Sequence, residues 1–196
     1  MQEIRKILGA IPELLLLDLN GAGISPDPEE DDLEPFDSFE ANALSKAQYF
    51  HTKSGLPTVA DDSGLSVDAL EGAPGVRSKR FAPQTGLDGE ERDWANNDHL
   101  TKLLGDRPLP ERSAQYVCVA ALVDGVGAET FRGEAPGLIL SIPKGRGGFG
   151  YDSLFFDPEL GKTFAQISSA EKNARSHRGR AFRAMADHLS RQATRD

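Results

Sequence analysis

Two long β-like runs joined by a glycine-containing turn constrain the fold of this chain more than any other feature. The runs are "SAQYVCVAALVDG" and "AETFRGEAPGLILSI", which lie between Ser113 and Ile142 and meet at "DGVG". A short turn of this composition between two such runs is typical of a β-hairpin. Antiparallel neighbours argue against a fold built only from βαβ units, and helical patterns lie on both sides of the hairpin. The sequence therefore indicates an α/β or α+β fold.

The clearest helical pattern extends from Ser38 to Ser54. Its apolar residues recur at helical spacing and form one stripe: Phe39, Ala43, Ala47 and Phe50. Asp37 and Glu40 have the spacing of a capping box, and Gly55 is a typical C-terminal stop. We therefore interpret Glu40 as a capping residue rather than a metal ligand.

Other elements follow from the same periodicity. Helices are predicted over "QEIRKILGAI", over "DGEERDWANNDHLTKLLG" and over "SSAEKNARSHRGRAFRAMADHLSRQ" near the C-terminus. The last of these has a core-facing stripe: Ala181, Phe182, Met185, Ala186 and Leu189. The run "ELLLLDL", from Glu13 to Leu19, has the length of a buried strand. The acidic stretch "ISPDPEEDDLEP" indicates a solvated loop.

The charge balance excludes several classes of partner. The 196 residues carry a net charge of −9, so the chain lacks the broad basic surface of a protein that binds DNA or RNA. No apolar run approaches the ~20 residues that span a bilayer, and the N-terminus has no signal-peptide pattern. Cys118 is the only cysteine, and its apolar neighbours predict a buried thiol without an intrachain disulfide. We expect a single cytoplasmic domain with neither a nucleic-acid polymer nor a membrane as partner.

Two adjacent aspartates, Asp61 and Asp62, lie in "ADDSG" between the predicted strands "LPTVA" and "LSVDAL". At a junction between strand and loop, the two carboxylates could hold Mg²⁺ and deprotonate a water molecule. An Asp-Ser-Gly turn whose side chains bond their own backbone explains the pair equally simply. Glu34, in the acidic loop before the first strong helix, is a third carboxylate that could reach the same metal.

A glycine-rich segment, "PKGRGGFGYD", lies further along the chain. It is neither a dinucleotide fingerprint nor a P-loop, because it lacks the Gly-Lys-Ser/Thr ending. Its glycines allow a close approach of backbone to ligand. Phe149 and Tyr151 could stack on a base, and Asp152 could accept a hydrogen bond from its edge. A hairpin loop with two core aromatic residues is the alternative.

The segment "EKNARSHRGR" carries Lys172, Arg175 and Arg178 at intervals of three residues, with His177 beside them. These cations can share one helical face and suit an anionic ligand. A solvated basic face is the alternative. Together with the carboxylates and the glycine-aromatic loop, the cations predict a magnesium-nucleotide site without a P-loop.

Four segments carry a resemblance to a known family: "SFEANALSKA", "GLPTVADDSGLSVDALEGAPGVRSKRFA", "GGFGYDSLFF" and "GKTFAQISSAEKNARSHRGRA". On these the sequence resembles the inosine triphosphate pyrophosphatase family. The resemblance implies an α/β fold of two lobes around a long mixed β-sheet, with flanking helices, an active-site cleft between the lobes and a homodimeric assembly. It also implies Mg²⁺-dependent hydrolysis of ITP, dITP and XTP to a nucleoside monophosphate and pyrophosphate, which keeps deaminated purines out of the nucleotide pool.

The resemblance also implies roles for individual residues. Asp62 is similar to the family's general base and metal-associated aspartate, with Asp61 beside it, and Glu34 aligns with an acid associated with Mg²⁺. The remaining residues are implied to contact the substrate, as base frame, base contact or phosphate contact: Ser63, Phe149, Gly150, Tyr151, Asp152, Lys172, His177 and Arg178.

The chain departs from the family pattern in two places. Ala41 stands where the family often has a second acid. Met1 directly precedes "QEIRKIL", where the family has a strand and a "TxNxxK" phosphate-binding loop first, so we expect that strand and that loop to be missing. Two alternatives stay open: a Maf-like pyrophosphatase of other nucleotides, and a truncated module that binds nucleotides or dimerises without catalysis.

Overall fold

One six-stranded sheet and five α-helices are found in residues 2–193, the part of the chain that this computed structural model describes. The helices are α1 (Gln2–Leu8), α2 (Phe39–Ser54), α3 (Gly89–Leu104), α4 (Ser169–Arg175) and α5 (His177–Ala193). The strands are β1 (Thr58–Val67), β2 (Pro74–Gly75), β3 (Ser113–Val123), β4 (Ala128–Ile139), β5 (Phe155–Asp157) and β6 (Lys162–Thr163). Their order in the sheet is β2-β1-β3-β4-β5-β6. The α/β fold class is thereby confirmed.

The predicted hairpin is the junction of β3 and β4. The carboxylate of Asp124 accepts hydrogen bonds from the backbone N–H groups of Val126 (2.8 Å) and Gly127 (2.9 Å) and so closes the turn. These bonds favour the ionised carboxylate and hold the pKa of Asp124 below its usual value. The antiparallel neighbours β4 and β5 pair Leu138 with Phe156 and Ile139 with Phe155.

The chain divides into two compact units. Unit 1 comprises the chain up to Asp62, Cys118–Gly133, and the chain from His177 onward. Its core is formed by α1, α5 and alternate residues of β3: Leu8, Cys118, Ala120, Leu122, Ala181, Phe182 and Met185. The period of two along β3 explains why Cys118, Ala120 and Leu122 share one face of the strand. Cys118 is fully buried, as predicted, and its thiol forms no disulfide.

Unit 2 comprises Ser63–Val117 and Glu134–Ser176. Its core combines β1, α3 and an aromatic group in which Tyr116 lies 4.5 Å from Phe155, centroid to centroid, and Phe155 lies 4.8 Å from Phe164. Leu100 and Leu104 supply the apolar stripe of α3, which ends at Gly105 as predicted. The predicted cleft between two lobes stays a prediction.

Several local predictions were wrong. The helix α2 begins at the N-cap Ser38, whose hydroxyl accepts from the N–H of Ala41 (3.2 Å), so Asp37 and Glu40 do not form the capping box. The carboxylate of Glu40 instead accepts from Arg132 (2.7 Å). A serine and an aspartate side by side are both good N-caps, and the sequence pattern selected the wrong one.

The run Glu13–Leu19 is not a strand. A strand needs a neighbour to pair its backbone groups, and the six strands of the described sheet include none from this segment. Leu16 packs against the unit 1 core. Leu15 is 79% exposed, which an apolar run alone does not predict.

The C-terminal helical pattern is divided in two. The backbone of Ser176 is extended (φ −63°, ψ 150°), so α4 ends at Arg175 and α5 begins at His177. Lys172 and Arg178 therefore belong to different helices, and the single cationic helical face predicted from their spacing does not form. Within the described residues, no helix combines the length and the apolar character needed to cross a membrane.

Replacement of Gly133 by alanine should destabilise the protein. A β-carbon at this position of β4 would lie 2.5 Å from the backbone nitrogen of Ala181 and would also clash with the carbonyl oxygen of His177. Such overpacking against backbone costs about 1–3 kcal/mol, and we expect Gly133→Ala to lose that much free energy of unfolding in urea titrations. The control is Gly125→Ala, where a β-carbon meets no atom within 4 Å and the change should stay within about 0.5 kcal/mol. Equal stability of the two variants would contradict the close packing of β4 on α5.

Candidate active site

The two adjacent aspartates lie inside a strand, not at its end. Strand β1 is continuous from Thr58 to Val67, so "ADDSG" is neither a turn nor a junction between strand and loop. Successive side chains of a strand point to opposite faces of the sheet. Asp61 and Asp62 are therefore directed to opposite faces, which separates their charges without a metal ion between them.

The carboxylate of Asp62 is held from α2. It is 6% exposed, and its Oδ2 accepts a hydrogen bond from Nδ2 of Asn42 (3.0 Å). The same amide group donates to the carbonyl oxygen of Phe36 (3.1 Å) and accepts from the Phe36 N–H (2.9 Å). Because Asn42 is bonded on both sides, it fixes Asp62 relative to the loop that precedes α2.

Lys46 lies one helical turn after Asn42 and brings a positive charge to the same group. Its Nζ donates to Oε1 of Glu34 (2.5 Å) and to the backbone carbonyl of Asp61 (2.5 Å). The Oδ1 atom of Asp62 lies 4.0 Å from the same nitrogen. Three oxygen atoms from Glu34, Asp61 and Asp62 thus surround one cation, and the two carboxylates share a single ammonium group.

A tether at the other end of α2 holds the loop that carries Glu34. The carboxylate of Asp27 accepts from Nζ of Lys53 (2.5 Å) and also caps the short 3-10 turn Pro28–Asp32. The hydrogen bond from Lys53 is the main reason that the pKa of Asp27 lies below its usual value, and the same bond raises the pKa of Lys53. The acidic loop predicted to be solvated is therefore anchored to α2.

Asp61 is directed to α5 rather than to α2. Its Oδ2 accepts from Nε (3.1 Å) and from a terminal nitrogen (3.0 Å) of the Arg178 guanidinium, and the Cys118 thiol lies 3.7 Å away. His177, the first residue of α5, is 9% exposed. The structure thus brings Asp61 together with Arg178, and Asp62 together with Glu34 through Lys46.

The oxygen set around Lys46 suits Mg²⁺, which binds oxygen ligands. No group of three His, Cys, Asp or Glu side chains in residues 2–193 is close enough to hold a metal ion. Mg²⁺ commonly binds proteins through only one or two carboxylates and takes its other ligands from water and phosphate. Glu34 and Asp62 fit that mode, whereas the side chain of Asp61 is engaged by Arg178.

In unit 2, the glycine-rich loop is organised around the carboxylate of Asp152, which is 2% exposed. Its Oδ2 accepts from the Phe149 N–H (3.0 Å) and from the ammonium of Lys172, and its Oδ1 accepts from the Tyr116 hydroxyl (3.3 Å). Burial chiefly, with the charge of Asp152 second, raises the pKa of Tyr116 well above its usual value. Tyr116 therefore stays protonated and donates to Asp152 at any physiological pH.

The two aromatic residues of the loop differ in exposure. Phe149 is 68% exposed, and Nζ of Lys172 lies 4.6 Å from the centre of its ring, a cation–π distance. Tyr151 is 3% exposed, belongs to the unit 2 core, and donates from its hydroxyl to the carbonyl oxygen of Ser78 (2.8 Å). Phe149 is thus available for stacking, whereas the ring of Tyr151 packs in the core, and the contact of Tyr151 with the substrate stays a prediction.

The third predicted cation of the segment has a structural role. Arg175 donates hydrogen bonds to Glu159 (2.7 Å) and Asp157 (3.4 Å), and these two carboxylates raise its pKa.

Ser63, which is predicted to contact the substrate, follows Asp62 in β1 and is partly buried.

Sequence reasoning missed three residues that organise these groups: Asn42, Lys46 and Tyr116. Asn42 interrupts the apolar stripe of α2, yet it is buried with that stripe, and Lys46 follows it at a spacing of four. A polar residue on a buried helical face is the one signal that could have indicated Asn42. Tyr116 lies in an apolar strand pattern that predicts only core packing.

The stability of the protein should fall above pH 10 partly because of Tyr116. The unfolded state ionises this hydroxyl near pH 10, whereas the folded state keeps it protonated because its pKa is raised. Rising pH therefore favours the unfolded state, by about 1.4 kcal/mol per pH unit for one such group. We expect Tyr116→Phe to reduce the slope of unfolding free energy against pH by about that amount between pH 10 and 11.5, as measured by urea titrations. Parallel slopes for wild type and variant would contradict the burial of this hydroxyl.

A profile of the Ham1 family matches residues 1–188 of the chain. The chain is 45% identical over 193 residues to a protein of Geobacter sulfurreducens named dITP/XTP pyrophosphatase, with 98% of this chain and 92% of the relative covered. A relative of the same name from Frankia alni is also 45% identical and covers 95% of this chain and 90% of its own length.

Solved structures agree with the sequence comparisons. The Ham1 protein of Staphylococcus aureus superposes with a TM-score of 0.85 at 32% identity, covering 98% of this chain and 95% of that one. A HAM1 protein from Coxiella burnetii gives a TM-score of 0.81 at 33% identity over 97% of this chain and 92% of its own. The resemblance inferred from the motifs is confirmed, and the chain belongs to the Ham1 family.

Proposed function

We propose that this chain hydrolyses non-standard purine nucleoside triphosphates, namely ITP, dITP and XTP, to a nucleoside monophosphate and pyrophosphate. The observation that carries the proposal is the buried Asp62 carboxylate, held by Asn42 and lying 4.0 Å from the Lys46 ammonium. Three relatives of the chain are named dITP/XTP pyrophosphatase, which supports the same reaction.

The hydrolysis needs a base for the attacking water, and Asp62 is proposed for that role. The water oxygen forms a bond to the α-phosphorus while its proton passes to the Asp62 carboxylate. The bond from the α-phosphorus to the bridging oxygen breaks, and the electron pair leaves with pyrophosphate. Asn42 holds the Oδ2 atom of Asp62, so the orientation of the base is fixed before the substrate binds.

Glu34 and Asp62 are proposed to hold Mg²⁺. The bound ion would supply charge neutralisation for the phosphates and a water molecule of lowered pKa. Lys46 offsets part of the charge of both carboxylates. We propose that the Asp61 side chain serves to hold Arg178 rather than to bind the metal directly, because its Oδ2 accepts two guanidinium hydrogen bonds.

The glycine-rich loop of unit 2 is proposed to bind the purine base of the nucleotide. The exposed ring of Phe149 offers a stacking face, and Lys172 can donate to a 6-oxo group. A site built to donate at that position leaves its donor unpaired against the amino group of adenine, which costs affinity for ATP. We propose the remaining predicted residues as further contacts to the substrate: Ser63, Gly150, His177 and Arg178. A cytoplasmic homodimer is proposed from the family resemblance, and light scattering would test the dimer.

The direct test is release of pyrophosphate from a panel of nucleotides with Mg²⁺. We expect turnover of ITP, dITP and XTP and much slower turnover of ATP, dTTP and UTP. Asp62→Asn should reduce kcat for ITP by at least about 100-fold, the usual contribution of a positioned base. The matched control is Asp68→Asn, which makes the same change at an exposed residue after β1 and should leave kcat within about twofold.

Each part of the proposal has its own contrary result. Release of inorganic phosphate instead of pyrophosphate would place the cleavage at another bond. Preference for dTTP or UTP would favour the alternative of a Maf-like enzyme. Full activity in excess EDTA would contradict the divalent metal. An inactive chain that still binds ITP would favour a non-catalytic module.

A further inference from the structure

Two residues of α3 form hydrogen bonds with the backbone of the loop that is proposed to bind the nucleobase. The carboxylate Oδ2 of Asp93 accepts a hydrogen bond from the Gly150 N–H (2.6 Å), and Nδ2 of Asn97 donates to the Gly150 carbonyl oxygen (2.8 Å). Both backbone polar groups of Gly150 are therefore bonded to α3. Asp93 and Asn97 are four residues apart, so they lie on the same face of the helix.

Asn97 is itself fixed by α3. Its Nδ2 also donates to the backbone carbonyl of Asp93 (2.8 Å), which uses both amide hydrogens. Its Oδ1 is buried without a hydrogen-bond partner among the described residues. An amide held in this orientation, despite an unpaired oxygen, is committed to donating toward the loop.

The loop itself needs an external support at this point. Gly150 has φ of +60°, a conformation that glycine adopts readily and other residues disfavour. A β-carbon there would meet no atom within 4 Å, so glycine is required by the backbone and not by lack of space. Phe149 on one side of it is exposed, and Tyr151 on the other is anchored in the core. We call the hydrogen bonds from Asp93 and Asn97 to Gly150 the clamp. The clamp thus acts between the exposed Phe149 and the anchored Tyr151.

The same helix and the loop line one cavity of about 880 Å³. Asp93, Trp94 and Asn97 of α3 contribute to its lining, as do Phe149, Gly150 and Asp152 of the loop. Trp94, the only tryptophan of the chain, is 72% exposed. It can therefore report by fluorescence on what enters the cavity.

From this geometry we propose that Asp93 and Asn97 are positioning residues for base recognition. They hold both peptide groups of Gly150 and thereby set Phe149 and Asp152 in the arrangement that binds the base. The proposal rests on the proposed function, because it concerns the loop that we assign to the base. It adds a specificity role for α3, which none of the sequence motifs indicated.

The test uses Asp93→Ala and Asn97→Ala with ITP and ATP as substrates. A loosened nucleobase site binds the substrate and the transition state less tightly by similar factors. KM for ITP should therefore rise about 10-fold while kcat stays within about twofold. Selectivity for ITP over ATP should fall by a similar factor. Glu91→Ala is the matched control, because Glu91 is an exposed acid of the same helix that does not line the cavity, and its KM should equal that of wild type.

Conservative variants separate positioning from helix stability. Asp93→Asn keeps an oxygen acceptor for the Gly150 N–H, so it should recover most of the affinity lost in Asp93→Ala. Asn97→Asp replaces the donor by a carboxylate facing the Gly150 carbonyl, so it should be worse than Asn97→Ala. If Asp93→Ala does not fold, the KM and selectivity of Asp93→Asn and Asn97→Ala still test the positioning role. Variants that lose thermal stability but keep the KM and selectivity of wild type would overturn the proposal.

Quenching of Trp94 fluorescence by ITP measures binding without turnover. If wild type binds ITP but releases no pyrophosphate, the proposed activity fails, and the clamp is then decided by the Kd values of the variants, which should rise about 10-fold. If wild type is active and the variants bind as tightly as it does, the clamp fails alone. If the wild type shows no saturable quenching and no turnover, both proposals are overturned.

Discussion

The alternation of side chains along β1 is the constraint on which the arrangement of charges in unit 1 depends. It directs Asp62 to α2 and Asp61 to α5, although the two are neighbours in the chain. The Asp62 carboxylate accepts from Asn42, and the Asp61 carboxylate accepts from Arg178. A turn at the same place would have left both side chains free to rotate. The strand therefore gives Asp62, the proposed general base, one orientation.

Both units hold a buried carboxylate by the same combination of donors. Asp62 has the neutral amide of Asn42 and the nearby ammonium of Lys46, and Asp152 has the neutral hydroxyl of Tyr116 and the ammonium of Lys172. The neutral donor orients the carboxylate, and the cation offsets the cost of burying its charge. A carboxylate held in this way keeps one orientation, which suits the proposed roles of Asp62 in accepting a proton and of Asp152 in recognising the edge of a nucleobase.

Patterns within one element were predicted well from the sequence, and relations between elements were not. The helix α2, the hairpin of β3 and β4 and the core stripe of α5 all follow from periodicity and local stop signals. The pattern failed for Glu13–Leu19, where strand formation depends on a neighbour, and at Ser176, where an extended backbone interrupts a run of good helix formers. The partners of Asp62 and Gly150 lie 20 and 53 or more residues away, so no local pattern could assign Asn42 to Asp62, or Asp93 and Asn97 to Gly150.

Ion pairs within each unit constrain how a protein of net charge −9 could bind a triphosphate. In unit 1, Lys46 is paired with Glu34 and Arg178 with Asp61, and in unit 2, Lys172 is paired with Asp152. Each positive charge is already offset by a carboxylate, so these side chains together add little net attraction for phosphate. They can orient a nucleotide through their remaining hydrogens, but they do not neutralise it. A divalent cation that arrives with the nucleotide would supply the missing charge, and carboxylates are then an advantage rather than an obstacle. The acidic character of the chain is therefore consistent with a nucleotide-binding role, provided that the substrate is the metal complex.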